Sequence, residues 1–276
     1  VDQRSEDGVM FLVDPYQFAN DAALYIAAVE SADGQSLESG VANAIRAFVD
    51  GCKSDGIWTA IKACCILAGA RTLTGALVPL VGAAPTGINF VSGDYNRKTG
   101  LVGNGTTKYI NTNRNNNTEP RNSKHISAYV TTASTSGGST FPGYIGAQPS
   151  SGTNQTGSTS IGRLNSNSTT LFFRAQSLAA SGEFDSYANA GSATGLVGLS
   201  RSSASSYTAR ANNANTTFTR SSATPFASSI FVFYHGISNS YANGRIAFYS
   251  IGESLDLALL DARVTTLINA ISVAIP

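Results

Sequence analysis

Two acids set two residues apart, Glu183 and Asp185, are the pair best suited by type and spacing to do chemistry. Side chains at i and i+2 of a strand share a face, which is how two carboxylates come to flank a glycosidic bond. Ser186 and Tyr187 follow, however, and no third acid lies within ten residues, so catalysis is not expected. Gly100 to Gly105 has the glycines of a phosphate loop, but Thr106 stands where that loop needs a lysine and the setting is extended chain; nucleotide binding is rejected. The only two histidines, His125 and His235, have no acid nearby and no Gly-x-Ser-x-Gly elbow accompanies them, so no triad is expected. Cys52, Cys64 and Cys65 are odd in number with two adjacent. That argues against a disulfide framework and for small buried residues in a protein assembled in a reducing compartment. Neither a metal nor any other cofactor is expected, because the histidines lie far from the cysteines and the carboxylates are too scattered for calcium.

What remains is metal-free binding by Tyr, Asn and Arg. Tyr187, Tyr207 and Tyr241, all in loop-rich stretches, are the candidate ligand-binding residues; each also fits an ordinary surface or interface tyrosine. Trp58, the only tryptophan, sits at helical spacing among isoleucines and is expected in a core.

Composition narrows the setting. The 276 residues are 42% hydrophobic but only 13% charged, against a usual charged share of about a quarter. Polarity comes from Ser, Thr, Asn and Gly, which suit sheets, turns and uncharged surfaces. The net charge of +1 hides an asymmetry: residues 88–252 hold 12 Lys/Arg against four acids, and the remainder 6 against 13. Attraction to an anionic cell surface is one consequence of such a balance, and mutual attraction between parts of the protein is another. The arginines are scattered, which favours the second and gives no nucleic-acid stripe. No charged-then-apolar leader opens the chain. The longest apolar stretch, Ile57 to Ala70, contains Lys62 and is too short for a bilayer, so no membrane insertion is expected. Val1 in first place, with Met10 the only methionine, suggests a processed chain or the end of something longer.

The elements that must position these residues change type near Ile88. Before it, Leu24, Ala27, Ala28 and Ser31 trace one helical stripe, with Asn20-Asp21 as cap, and Leu37, Val41, Ala44, Ile45 and Phe48 trace a second. A third helix begins after Asp55, and ACCIL is either its continuation or an apolar strand. After Ile88 the period is two, as in Ile126, Ala128 and Val130, which argues for an antiparallel sandwich. Residues 69–87 are expected to lie across that sandwich as a covering strap. Asn104-Gly105 and Asn243-Gly244 are expected to close hairpins. In SSIFVFYHG, Ile230, Val232 and Tyr234 should face one way and Phe231 and Phe233 the other; in RIAFYSIG, Ile246 and Phe248 should oppose Ala247, Tyr249 and Ile251. Both faces of these strands are apolar, so helices or a neighbouring copy must cover the outer one. The close of the chain is a helix capped by Ser254, with Leu260, Val264, Leu267, Ile268 and Ile271 on one stripe.

The run TGLVGNGTTKYINTNRNNN resembles the opening strands of concanavalin A-like, laminin-G-like sandwiches. A longer pattern, ADGQSLESGV, GCKSDGIWTAIKACCILAGARTLTGALVPLVG, DYNRKTGLVGNGTTKY and FYSIGESLDLALLDARVTTLI, resembles a module of tailed-bacteriophage virion proteins, notably the C-terminal parts of tail fibres and related appendages. The likeness runs from about Asp21 onward and is compositional alone from Pro149 to Ser222. It implies a mainly β fold: an N-terminal arm (1–17), a helical subdomain with its covering loop (18–87), a concanavalin A-like β-sandwich of jelly-roll type (88–252) and a C-terminal helix (253–276). It implies a non-enzymatic virion structural protein, assembled in the host cytoplasm as a homotrimer beside other virion proteins, that contributes to host-surface attachment. Two alternatives stand beside it. One is a metal-independent, lectin-like module that recognises a host cell-surface glycan. The other is a polysaccharide-degrading glycosidase at Glu183 and Asp185, since hydrolases of this sandwich fold carry a Glu-x-Asp-x-Glu strand.

Overall fold

A computed structural model of the protein describes residues 20–135, 141–149, 155–164, 169–177, 184–188 and 194–276. Helices α1 (Asn20–Asp33) and α2 (Ser39–Ser54) come first, followed by strand β1 (Ile61–Ile66), the single turn α3 (Leu73–Ala76) and β2 (Thr86–Ile88). The period-two region then gives β3 (Tyr95–Asn96), β4 (Gly100–Val102), β5 (Tyr109–Asn115), β6 (Lys124–Thr132), β7 (Gly143–Ala147), β8 (Thr159–Arg163) and β9 (Leu171–Ala175). After these come β10 (Asp185–Tyr187), β11 (Gly195–Arg201), β12 (Ser206–Ala211), β13 (Ala214–Thr219), β14 (Ser229–Val232), β15 (Arg245–Gly252) and the closing helix α4 (Leu257–Ala274).

The strands form two antiparallel sheets. The first runs β13-β12-β11-β6-β15-β4-β3 with β1 also paired to β15, and the second runs β10-β9-β8-β7-β14-β5-β2. Their facing sides share a core that includes Ile110, Ile126, Val130, Ile145, Phe173, Val197 and Ile251. The outer side of the first sheet is covered by the helices. Tyr129, Leu196, Ala247 and Phe248 pack there with Ile26, Val29, Val41, Phe48, Leu260, Val264 and Ile271, each large aliphatic side chain contributing about 2 kcal/mol by burial. The expected sandwich is therefore present, and its first sheet is sealed from within the same chain.

The two charge-unequal parts meet through ion pairs. Arg210 of β12 reaches Asp261 of α4 at 2.7 Å, and Arg97 reaches Glu38 at 2.6 Å. By length and composition α4 is apolar enough to cross a membrane; here Leu260, Val264, Leu267, Ile268 and Ile271 are buried in the helical layer, as their spacing predicts.

Several local expectations are corrected. The buried stripe of α1 is Ala22, Tyr25, Ile26 and Val29, and Leu24 is exposed; the stripe with the larger side chains wins the core. Of the two readings open for ACCIL the strand holds, since it completes the first sheet beside β15 over Cys64, Cys65 and Ile66. Asp256, not Ser254, caps α4, accepting from the backbone N–H of Ala258 and Leu259. Neither Asn-Gly pair closes a hairpin. β4 and β5 lie in different sheets, as do β14 and β15, so both pairs sit in crossings between layers. The Asn104 side chain holds the first crossing by accepting from the N–H groups of Thr106, Thr107 and Lys108.

Two breaks of alternation matter most. Register shifts flank Ile246 in the pairing of β15 with β6. Ile246, Tyr249 and Ile251 thereby enter the sandwich core while Ala247 and Phe248 face the helices; an irregularity in the ladder reverses the faces that strict alternation assigns. At the end of β14, Phe233 has φ of 66°. Val232 and Phe233 both enter the core, and Tyr234 emerges on the other side beside Phe231.

Candidate functional site

The outer side of the second sheet carries a pocket of about 310 Å3. On β9, Leu171, Phe173 and Ala175 belong to the core, so Phe172 and Arg174 point outward. The floor comes from two glycines. A Cβ on Gly143 of β7 would lie 2.3 Å from the His235 ring, and one on Gly162 of β8 would lie 2.7 Å from the Phe172 ring. Only a residue without a side chain lets those two rings settle on the sheet at these points. The walls are Phe141, Phe184, Gln148, Gln155 and the segment Ile237 to Ser240.

His235 stacks edge to face with Phe172 at 5.5 Å between centroids. Its Nε2 is 3.1 Å from the Phe141 carbonyl oxygen. A carbonyl can only accept, so Nε2 carries the proton and Nδ1 is a lone pair. Burial pushes the His235 pKa down to about 4, with the nearby Arg174 charge adding to the shift, so the ring is neutral. The Phe233 backbone, whose positive φ costs a bulky residue about 1–3 kcal/mol, is what delivers His235 to the pocket and Tyr234 to the surface.

The polar side chains in this wall are buried and incompletely paired. Gln148, 3% exposed, gives its amide N–H to Ser160 Oγ, and its Oε1 has no partner. Gln155, 8% exposed, also has an unpartnered Oε1, and His235, 2% exposed, an unpartnered Nδ1. Leaving such atoms unpaired costs about 1–3 kcal/mol each. All three are acceptors. They sit beside three phenylalanine rings and one guanidinium, and among the described residues no carboxylate lines the pocket. The three acceptor atoms are closed off behind the wall, and the surface open to a ligand is made by the phenylalanine rings and the remaining polar lining.

None of the sequence-derived candidate tyrosines lines this pocket. Tyr207 is 2% exposed; its hydroxyl crosses the sandwich to donate to Asp185 Oδ2 at 2.9 Å, so it offers no face to a ligand. Tyr187 pairs opposite Leu171 and shares its core side, the reverse of the pocket side. Tyr241 is the nearest of the three: it bridges to Gly143 under His235 and stacks on Tyr234, with ring centroids 4.5 Å apart. Glu183 lies outside the described residues. Asp185 turns toward the core, and both its oxygens are engaged, Oδ2 by Tyr207 and Oδ1 by Arg220 Nε at 2.7 Å. His125 is structural, held between the Glu253 carbonyl and Ser250 Oγ.

Residues that the sequence analysis does not single out, Gln148, Gln155, Phe172 and Arg174, come from three stretches, beside β7, beside β8 and on β9, joined by sheet pairing. The two-residue period of LFFRA puts Phe172 and Arg174 on one face, the one signal in the sequence that points to this site.

No protein-family profile matches the chain, and no curated protein does. Among solved structures it is similar to the NanB sialidase of Streptococcus pneumoniae, at 11% identity and a TM-score of 0.40, covering 52% of this chain and 24% of the sialidase. A carbohydrate-binding module of the Ruminococcus gnavus IT-sialidase, bound to α2,3-sialyllactose, matches at 14% identity and TM-score 0.37, covering 52% of this chain and 82% of that one. The binding domain of botulinum neurotoxin DC in complex with SialylT matches at 17% and 0.40, covering 62% and 42%. The chain thus spans about a quarter of the sialidase, and these TM-scores carry no argument about its ligand.

Proposed function

We propose that this chain is a metal-independent glycan-binding module, and that its setting is the bacteriophage appendage its sequence motifs resemble. The observation that carries the first part is a pocket walled by the rings of Phe141, Phe172 and Phe184 beside the polar side chains of Gln148, Gln155, Arg174 and Ser240. A sugar ring hydrogen-bonds through its hydroxyls and stacks through its C–H face, so it matches such a lining. Binding proceeds without catalysis, because the one described acid of the Glu183/Asp185 pair is committed to Tyr207 and Arg220.

The test is a glycan array probed with the intact chain, with and without a chelator, followed by titration of the best epitope. Binding should persist in the chelator. It should weaken about tenfold or more in Gln148→Ala and in Phe172→Ala, the loss expected for one buried hydrogen bond or one aromatic contact. Absence of binding to any glycan at millimolar concentration overturns the proposal.

A virion structural role as a homotrimer is the second reading, and it rests on the motif resemblance. Val273, 87% exposed, and Leu24 on the helical layer are apolar surface that a second copy would cover. Light scattering across a concentration series tests it, and a strict monomer counts against it.

A further inference from the structure

We infer that the protein cross-links itself: the Lys124 amine and the Asn116 carboxamide join in an isopeptide bond that ties the two sheets together, with Glu119 moving the proton. The inference is independent of the glycan reading of the pocket.

The three side chains meet where the chain passes between layers. Asn116 directly follows β5 of the second sheet and Lys124 opens β6 of the first, with residues 117–123 crossing between them. Lys124 Nζ donates to the Asn116 carbonyl oxygen at 2.8 Å and lies 3.2 Å from Glu119 Oε2. The amine is thereby held at the very residue whose carboxamide it would attack, and within reach of a base. Asn116 is fully buried, and the side chains of Lys124 and Glu119 are each 1% exposed. The Asn116 amide nitrogen donates to the carbonyl oxygens of Gly157 and Phe226, both at 3.0 Å, which pins the carboxamide, while its Oδ1 has no partner.

Burial supplies the chemistry. Glu119 also accepts from Arg114, so two cations share one carboxylate and the cluster buries a net positive charge. Burial is the largest cause acting on Lys124 and pushes its pKa down to about 8, against the pull of Glu119, which brings the neutral, nucleophilic amine within range at ordinary pH. In the reaction Glu119 takes a proton from Nζ, the amine lone pair forms a bond to Asn116 Cγ, and the Cγ–Nδ2 bond breaks. A second Nζ proton passes to Nδ2, and the ammonia that leaves carries off the proton held by Glu119 as ammonium. No oxidant, reductant or cofactor enters. A buried ammonium gives way to a neutral amide, leaving Arg114 and Glu119 as a balanced pair. Loss of the excess charge and escape of ammonia both favour the linked form. All three described cysteines are free thiols, so among the described residues this bond is the one covalent tie between the sheets.

Mass spectrometry of the intact, denatured chain tests this. Its mass should fall short of the sequence mass by one ammonia, and a tryptic digest should hold one branched peptide that joins Asn116 to Lys124 and is uncut after Lys124. Lys124→Arg and Asn116→Ala should each show their full sequence mass. Asn116→Asp, which expels water in place of ammonia, should reach the same final mass as the unmodified chain. A full sequence mass in the unmodified chain overturns the inference, and so does loss of ammonia with Lys124 still cut by trypsin. If the variants do not fold, the mass and digest of the unmodified chain decide.

Discussion

Lowering the pH from 7 to 5 should destabilise this protein through two residues, His125 and His235. Burial is the largest cause in both, and each pKa is pushed down to about 4 from an ordinary 6.5. The unfolded chain therefore takes up two protons between pH 6.5 and 4 that the folded chain refuses. Stability is fully present above pH 6.5, falls as the pH drops and levels off near pH 4. Each unit of pKa difference is worth 1.36 kcal/mol; between pH 7 and 5 each histidine loses about 2 kcal/mol, about 4 together. Against a typical total of about 5–15 kcal/mol that is a large share. With a urea m-value of about 3 kcal/mol/M, the unfolding midpoint should fall by roughly 1.3 M. Urea titrations at pH 7, 6 and 5 measure it. Comparing slopes against pH separates the histidines from any uniform cost of mutation: His125→Gln should halve the slope, and adding His235→Gln should flatten it. A midpoint that does not move between pH 7 and 5, or a slope that survives in the double variant, would falsify the reasoning. The carboxylates with lowered pKa values, Glu38 beside Arg97, Asp55 beside Arg263 and buried Asp94 beside Lys108, add their own loss at lower pH.

Two further outcomes come from buried charge. Lys124 and Glu119 are both 1% exposed, 3.2 Å apart, with Glu119 also accepting from Arg114. Glu119→Gln strands a buried ammonium and should cost about 3–5 kcal/mol; adding Lys124→Met should recover most of it, and thermal melts of the single and double variants check this. Asp185→Asn removes a charged acceptor from Tyr207 and Arg220 and should cost about 2 kcal/mol while leaving glycan affinity as it was. A loss of affinity without a loss of stability would place Asp185 in the site after all.

Period-two patterning after Ile88 made a two-sheet body readable from the chain, and the apolar outer faces of the last strands announced a covering layer. The spacing of Leu260, Val264, Leu267, Ile268 and Ile271 settled the closing helix in the same way. These are local properties: they depend on which side chains recur every two or every three to four residues. Partner choice between strands is not local. Asn104-Gly105 is compatible with a hairpin, yet β4 pairs with β15 and β5 with β14, strands far along the chain and in different sheets. Nor does alternation foresee the places where it stops. The shifts around Ile246 and the positive φ of Phe233 each reverse a face, and the second decides that Tyr234 and His235 face outward. The pocket is beyond sequence reasoning for the same reason. Gln148, Gln155, Phe172 and His235 are ordinary residues one by one, and their unpaired atoms acquire meaning only once four segments fold over Gly143 and Gly162. Periodicity determined the layers; the pairing of distant strands, set by total burial, decided which residues meet.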